Sequence, residues 1–517
     1  MISCRSFLFV LLCGAIFFGC KQPYEPDADN VVTIRIASEP DKLNVLYARS
    51  SSETRIANLI FPALLDIDPN TLEIVPVIAE SRPTMTEITE GEFSGGTKQE
   101  YRIRKEARWD NGDPVLAEDF VFTLKNIFNP RAGLQAVRPF VDFVKQIDVD
   151  PSDQKKFTVY SDSKYMMSEL ALGNMPVLPR YILDPDGLMD QISLESIISS
   201  EAMNSADSID LIAFGQLLTS EKYNRDSSML ISCGAYTLGS WETGASVTLK
   251  RKTNWWGNDF QHLNAVIESD PSKIVYQLVK DEAGAITMLK DGQLDAMTSI
   301  NPATFKSLEE NALAKDVLDL YNPPFLQYYF LGLNMNNPKL VDRGVRKALA
   351  HLIDYEAIID NVLFGMGQRI VGPLHPSNYG YASDIPLPDY NPEKAISILK
   401  DAGWEDTNNN GTVDKVIEGK RTELSIDLLA SPSENSKNIC LLVQSSAASG
   451  GVKINPVFKE LRTIVGEHLV PRNFEMYALA WSQQVGDYDP KQLWHSESDT
   501  PSGRNWSGFN LPECDAV

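Results

Sequence analysis

The chain has 517 residues, of which 43% are hydrophobic and 23% are charged, and its formal net charge at pH 7 is −23. This length exceeds what a single hydrophobic core supports, so two or three domains are expected. The acidic balance excludes nucleic acid as a partner, because its phosphates would be repelled.

The N-terminus predicts export. Arg5 is followed by an uncharged, mostly apolar run over residues 6–18. A run of about 13 residues is too short to span a bilayer and has the length of a signal-peptide core. No later segment of the sequence is long and apolar enough to cross a membrane. The mature chain is therefore predicted to be exported.

The end of this run predicts a lipid anchor. Gly19 precedes Cys20, and a polar, acidic stretch follows at once. A small residue directly before a cysteine is typical of lipoprotein signals, in which Cys20 would be acylated and become the first residue. Phe17 departs from the aliphatic residue that is usual there, and the alternatives are an ordinary secretory signal or an anchor that stays in place. We predict a signal peptide over 1–19 and a lipidated tether over 20–30.

Cysteine and histidine usage argues against a disulfide scaffold and against zinc. Beyond the signal and Cys20, the sequence contains Cys233, Cys440 and Cys514. An odd number this widely spaced leaves at most one bridge, whose pair the sequence does not identify. The histidines form no HExxH motif and no close pair, so neither a metal nor another cofactor is expected.

The first half of the chain predicts mixed strands and helices. The predicted elements are a strand over 31–38, a helix over 51–65 opened by a Ser/Thr cap, a hairpin or loop over 84–97, a strand over 101–104 and a helix from Ala117. Region 185–230 is rich in serine and acids, has helical patches and lacks strong strand signals. We predict that it is peripheral.

The second half of the chain also predicts alternating strands and helices. The predicted elements are a hairpin turning at 242–245, a strand–helix–strand unit over 273–300, a strand over 325–335, a helix pair over 344–363, a helix over 391–403, and strands over 423–430, 452–460 and 474–482. Pro323 and Pro324 mark the predicted crossing between two lobes.

Residues 104–124 carry the most recognisable motif, RKEARWDNGDPVLAEDFVFTL. Gly112 and Pro114 predict a tight turn. Glu118 and Asp119 fall in the first turn of the following helix, where carboxylates are favourable. The motif is therefore interpreted as structural rather than as an acid/base pair.

Together with four further segments, this motif resembles the family-5 extracellular solute-binding proteins, the oligopeptide- and dipeptide-binding group. Its positions that match the family's W-x-[DN]-G-x-P-[LV]-x-A-x-D-V element are Trp109, Gly112, Pro114, Ala117 and Asp119. The other similar segments lie at 233–257, 331–368, 389–415 and 505–517. Ala235 replaces the family's usual Pro and Trp255 its usual Tyr.

The resemblance implies an α/β, two-lobed periplasmic-binding-protein type II fold with an extra subdomain in lobe 1. The expected parts are lobe 1 over 31–62 and 231–322, the inserted subdomain over 63–230, lobe 2 over 323–505 and the start of a return to lobe 1 over 506–517. Further helical sequence follows this point in the family, so a truncated chain is expected.

The resemblance also implies the ligand and its contacts. The family holds an extended peptide through main-chain hydrogen bonds, and an Asp after a Trp-ending strand pairs with the α-ammonium group. The segment AWSQQVGDYDPKQLW supplies Asp487 for this role and Asp489 as the alternative. Both acids merely capping a loop is the other interpretation. Trp481, Tyr328 and Tyr236 are candidate cleft walls, although aromatic strand residues are more often core.

Basic and acidic segments supply weaker candidates. Arg369 and Arg472 are candidate partners of a peptide carboxylate, without a spacing argument for either. Residues 406–414, DTNNNGTVD, resemble a calcium loop, but position 12 is Ile417 instead of the required Glu. A turn without a cation is the favoured interpretation.

The implied partners are an oligopeptide or dipeptide, an ABC transporter permease and, through the lipid, the periplasmic or cell-surface face of a bacterial membrane. A monomer is expected. No nucleophile elbow, P-loop or dinucleotide fingerprint is present in the sequence, so no enzyme is predicted. The alternatives are a non-peptide solute, such as a nickel chelate or an oligosaccharide, and a scaffold lipoprotein without transport.

Overall fold

The computed structural model describes residues 30–48, 50–134, 137–201, 204, 207–376, 378, 380–482, 490–500 and 503–515. Within these ranges the strands form three four-stranded sheets and two two-stranded hairpins. The predicted signal peptide and Cys20 lie outside the described residues.

The strands are, in chain order, β1 (Val31–Ile36), β2 (Leu65–Ile67), β3 (Ile74–Pro76), β4 (Thr84–Glu87), β5 (Thr97–Arg102), β6 (Val144–Val149), β7 (Lys156–Ser161), β8 (Tyr236–Glu242), β9 (Ser246–Arg251), β10 (Lys273–Leu278), β11 (Gln327–Leu333), β12 (Asp414–Ile417), β13 (Lys420–Glu423), β14 (Ser425–Ala430), β15 (Lys453–Phe458) and β16 (Met476–Ser482).

The helices are α1 (Ser51–Ile60), α2 (Ala117–Phe128), α3 (Ser168–Gly173), α4 (Arg180–Leu183), α5 (Leu194–Ile198), α6 (Ser208–Leu218), α7 (Glu221–Arg225), α8 (Glu282–Lys290), α9 (Pro302–Glu310), α10 (Ala312–Lys315), α11 (Arg343–His351), α12 (Tyr355–Asn361), α13 (Pro392–Asp401), α14 (Glu434–Ala448), α15 (Leu461–Thr463), α16 (Lys491–Trp494) and α17 (Pro512–Asp515). A π-helical turn, Ile464–Leu469, continues α15. Of the helices in the described part of the chain, none has the length and apolar character needed to traverse a bilayer.

The N-terminal sheet has the strand order β1-β10-β9-β8. β1 and β10 are parallel, and the β8–β9 hairpin turns at Gly244, whose φ of 77° is the left-handed conformation that glycine adopts freely. After α8 the chain returns beside β1, where Ala296 forms a single parallel bridge with Ile34. The second strand predicted for 273–300 is therefore one bridge long. The Asp295 carboxylate, accepting from Thr33 N over 2.7 Å, replaces further backbone pairing.

The inserted sheet has the order β4-β5-β7-β6 and is antiparallel throughout. Helix α2 packs with it in the largest hydrophobic core that the described residues form. The predicted apolar face of this helix is fully buried, with Phe120, Leu124 and Ile127 at most 1% exposed.

Region 185–230 is helical, as predicted, but it is not peripheral. Its apolar side chains complete the same core, and the buried ones include Leu194, Ile197, Leu211, Phe214, Leu218 and Tyr223. Short amphipathic helices separated by serine-rich turns can bury one side chain per turn, which composition alone does not reveal.

Helix α1 ends earlier than predicted. Ser50 caps it through a capping box with Glu53, but its last residue is Ile60 and Leu65 already belongs to β2. Pro62 has no N–H to donate to the preceding turn, so it stops the helix.

The C-terminal sheet has the order β11-β16-β14-β15. β14 is parallel to both β15 and β16, whereas β11 is antiparallel to β16. One face packs on α11, α13 and α14. The other face carries a smaller core of Leu429, Ile464, Leu469, Phe474 and Tyr477.

The turn-and-helix motif of 104–124 is held by its own side chains. Asp119 Oδ2 accepts from Leu116 N over 2.8 Å and from Trp109 Nε1 over 3.2 Å. Asp119 is thus the helix-start residue that the sequence predicted, and it also ties the turn to the helix. Burial raises the pKa of Asp119 to about 6, against the lowering effect of these hydrogen bonds.

Asp119 should therefore make stability depend on pH. An unfolded Asp titrates near about 3.9, so between roughly pH 4 and 6 the folded state binds more protons than the unfolded state. The contribution of Asp119 to the free energy of unfolding should therefore fall by about 2–3 kcal/mol as pH rises through this window. Above about pH 6 this contribution should not change further. We expect this slope in urea unfolding of the wild type relative to Asp119→Asn. A difference that stays constant from pH 4 to 7 would contradict it.

Candidate ligand-binding site

The parallel strands of the C-terminal sheet end at one edge. β14 ends at Ala430, β15 at Phe458 and β16 at Ser482. The antiparallel β11 begins at this edge, where Gln327 Nε2 donates to Ser482 Oγ over 3.3 Å. Ligands of open α/β sheets bind beyond the carboxyl ends of the strands. This edge is therefore the candidate binding edge of the C-terminal lobe.

The predicted crossing reaches the same edge. Residues 321–325 have irregular backbone and lead directly into β11. The aromatic side chains of Tyr321 and Phe325 in this segment are 78% and 73% exposed. The chain thus enters the C-terminal sheet beside the carboxyl ends of its parallel strands.

Two predicted wall residues come together at this edge. Tyr328 on β11 is directly opposite Trp481 on β16, so both side chains lie on the same face of the sheet. Both are half-buried. The Tyr328 ring packs against Phe330 at 5.5 Å, and the Arg504 guanidinium lies 5.4 Å from the centre of the Trp481 indole.

The third predicted wall residue lies elsewhere. Tyr236, on β8, is 1% exposed in the core of the N-terminal sheet. Its hydroxyl donates to Pro271 O over 3.0 Å. A side chain enclosed in this way has no surface for a ligand, so we leave Tyr236 out of the proposed cleft.

The two candidate carboxylates, Asp487 and Asp489, lie outside the described residues. They follow Ser482, the last residue of β16, in the chain. The role assigned to them stays a prediction.

The carboxyl edge of the N-terminal sheet carries a cluster that the sequence did not single out. Glu39 follows β1, and its carboxylate accepts from Trp241 Nε1 over 2.9 Å and from Gly244 N over 3.0 Å. Arg225 NH2 donates to the same carboxylate over 3.3 Å, and its guanidinium lies 4.0 Å from the Trp241 ring centre. These contacts fix the tip of the β8–β9 hairpin at this edge.

The negative charge of Glu39 is stabilised by protein groups. The hydrogen bond from Trp241, followed by those from Gly244 and Arg225, lowers the pKa of Glu39. Its partners lie about 200 residues away in sequence, and no local motif announces them. Glu39 is therefore charged and already satisfied, which makes it a positioning residue for the hairpin rather than a free acid.

The two arginines that the sequence suggested are engaged by protein groups. Arg472 pairs with Asp499, at 2.7 Å from NH2, and also donates to Asn505 O over 3.0 Å. Arg369 stacks on Tyr355 at 3.9 Å and donates to Pro388 O. Each guanidinium therefore already donates to at least one protein acceptor.

The loop at 406–414 is a closed turn. The Asp406 carboxylate accepts from the backbone N–H groups of Asn410 and Gly411, at 3.2 and 2.9 Å. Asp414 is buried and pairs with Thr407 and with Arg421, at 3.1 Å from the latter. Among the described residues, no group of three or more His, Cys, Asp or Glu is arranged to hold a metal.

The three cysteines within the described residues, Cys233, Cys440 and Cys514, are free thiols. Cys233 and Cys440 are buried in different cores, and Cys514 is exposed. Burial raises the pKa of Cys233 to about 12 and that of Cys440 to about 11. These two thiols are therefore inert packing groups.

Two α/β lobes with an irregular crossing between them define the class of protein, a two-lobed periplasmic-binding-protein fold of type II. The model of the bacterial extracellular solute-binding proteins, family 5 middle region, matches residues 73–503. The chain belongs to this family, which confirms the resemblance seen in the sequence.

Two proteins of low sequence identity match nearly the whole chain. The oligopeptide-binding protein AppA of Bacillus subtilis is 24% identical over 508 residues, covering 96% of this chain and 81% of that protein. The structure of AppA in complex with a nonapeptide has a TM-score of 0.66 at 22% identity, covering 95% of this chain and 86% of that chain. The periplasmic EDTA-binding protein EppA reaches a TM-score of 0.72 at 20% identity, covering 96% of this chain and 85% of that chain.

Proposed function

We propose that the chain captures peptides between its two lobes and delivers them to an ABC importer, without catalysing a reaction. The observation that carries this proposal is the family match over residues 73–503, which includes strands of all three large sheets. The relative AppA, an oligopeptide-binding protein by name, supports peptides as the solute.

The proposed cleft uses the carboxyl edges of the two lobes. Trp481 and Tyr328 would form a flat apolar wall on the C-terminal side, and Asp487, or alternatively Asp489, would pair with the peptide ammonium group. A carboxylate facing an ammonium ion is a charge-assisted contact worth about 1.5–3 kcal/mol. The Glu39-held hairpin would border the cleft on the N-terminal side.

Capture would proceed by closure of the lobes. The irregular segment at 321–325 supplies backbone that can absorb such a hinge movement. Closure would bury the peptide and present a single continuous surface to the permease.

A non-peptide solute is the second candidate. EppA, which is by name an EDTA-binding protein, shares the fold over 96% of this chain. A small polyanionic chelate would need a cation at the cleft more than it would need a carboxylate, so the two candidates make opposite demands on Asp487.

Native mass spectrometry of gently purified protein distinguishes these functions. A ladder of short peptides bound to the protein would establish peptide capture, and its length distribution would give the size of the cleft. A single non-peptide mass would keep the fold and overturn the peptide assignment. An empty protein that also ignores an added peptide pool would favour the scaffold alternative.

We also propose that Cys20 carries lipid and holds the protein at a bacterial membrane. Cys20→Ser should move the protein from the membrane fraction to the soluble fraction, because the acyl chains would be lost. Cys514→Ser, which changes an exposed cysteine of the folded body, is the matched control and should leave fractionation unchanged. Membrane association that persists in Cys20→Ser would argue for a retained signal segment instead.

A further inference from the structure

Arg504 places an exposed guanidinium at the candidate binding edge. Its side chain is exposed and lies 5.4 Å from the centre of the Trp481 indole, the wall residue at the end of β16. Within the described part of the chain, its N–H groups make no hydrogen bond or ion pair. This sets it apart from Arg472, whose guanidinium donates to Asp499 and Asn505 O, and from Arg369, whose NH2 group donates to Pro388 O.

The backbone around Arg504 is held rigidly. Gly503 packs so closely that a Cβ there would lie 2.0 Å from Ser498 O. Asn505 is fully buried, donates to Phe509 O over 2.7 Å and accepts from Phe509 N over 3.1 Å. The side chain of Arg504 therefore projects from backbone that is fixed on both sides, so binding a partner orders the side chain and not the backbone.

A cation at the binding edge matters because the protein as a whole is strongly acidic. With a net charge of −23, the molecule as a whole repels anions. An anionic group on a solute therefore needs a local cation at the site. A guanidinium stacked on an indole keeps its in-plane N–H groups available for two parallel hydrogen bonds, the geometry that a carboxylate accepts.

We propose that Arg504 binds a carboxylate of the captured solute, while its guanidinium contacts the face of the Trp481 ring. This inference rests on the proposed function and assigns it a specificity-determining residue. In a peptide the group would be the terminal carboxylate.

The test compares one chemical change in the ligand with one in the protein. The probes are a mixture of pentapeptides without Asp or Glu, carrying free carboxyl ends, and the same mixture with carboxamide ends. Competition read by native mass spectrometry gives the acid-to-amide ratio on the protein. We expect the wild type to prefer the acids about tenfold, Arg504→Gln to lose this preference while binding the amides as before, and Arg504→Lys to keep part of it.

The matched control is Arg343→Gln, which removes the same charge from an exposed position on α11. This helix packs on the face of the C-terminal sheet opposite to the face that carries Tyr328 and Trp481. Arg343→Gln should keep the wild-type preference. If Arg504→Gln retains the preference, or weakens acids and amides equally, the assignment of Arg504 is wrong while peptide capture stands. If the wild type retains neither mixture, the proposed function fails, and this inference fails with it.

Discussion

Asp487→Asn is expected to weaken peptide binding at least tenfold, because it removes the charge that faces the peptide ammonium group while keeping the shape of the side chain. Titration calorimetry at neutral pH with a free peptide and with its N-acetylated form measures this directly. The wild type should discriminate against the acetylated form, which has no ammonium group, and Asp487→Asn should discriminate little.

Asp489→Asn serves as the comparison, because Asp489 directly precedes Pro490 and is expected to act on the loop. Discrimination lost in Asp489→Asn but kept in Asp487→Asn would exchange the two roles. Discrimination kept in both variants would remove this loop from ammonium recognition altogether.

Gly332→Ala is expected to destabilise the C-terminal lobe by about 3 kcal/mol. Gly332 on β11 is opposite Tyr477 on β16, and a Cβ there would lie 2.1 Å from Tyr477 Cζ. The ring cannot move aside easily, because Phe330 and Phe474 pack edge-to-face against it at 5.7 and 5.3 Å. Urea unfolding followed by tryptophan fluorescence should show an earlier transition.

Gly466→Ala is the control in the same lobe, since no atom lies within 4 Å of a Cβ built there. It should leave stability unchanged or raise it by up to about 1 kcal/mol, because alanine restricts the unfolded chain more than glycine does. Combining Gly332→Ala with Tyr477→Leu should recover part of the loss attributable to the clash. An unchanged Gly332→Ala transition would mean that the sheet shifts to accommodate the methyl group at little cost.

Local signals in the sequence predicted many elements correctly. A Ser/Thr cap was predicted at the start of α1, and Ser50 supplies it, in a capping box with Glu53. The hairpin predicted at 242–245 turns at Gly244. The helix pair over 344–363 appears as α11 and α12. In each case the decisive interaction joins residues close in the chain, so propensity and spacing carry the information.

Elements without such signals were missed or misjudged. Helix α14, Glu434–Ala448, was not predicted, because its N-cap Ser433 precedes a sequence with little apolar periodicity. Tyr236 was considered for the cleft wall, yet β8 turns it into the core. Strand periodicity gives two faces, and the sequence does not say which face meets solvent.

The sequence also predicted only part of the candidate site. Tyr328 and Trp481 were each proposed from a strand pattern, but only the antiparallel register of β11 and β16 shows that they are neighbours. The Glu39 cluster and the contact of Arg504 with the Trp481 ring had no sequence signal, because the partners are separated in the chain. Contacts of this kind exist only once the sheets have formed.

The sequence by itself determined the family, the α/β class and the local turns, because these depend on motifs and short-range spacing. The tertiary structure decided that region 185–230 belongs to the main core, that Arg369 and Arg472 contact protein acceptors, and that Arg504 lies beside the Trp481 ring. The physical reason is that burial and charge pairing depend on which distant segments meet. The free-energy cost of burying an arginine or a tyrosine depends on those spatial neighbours and not on its position in the sequence.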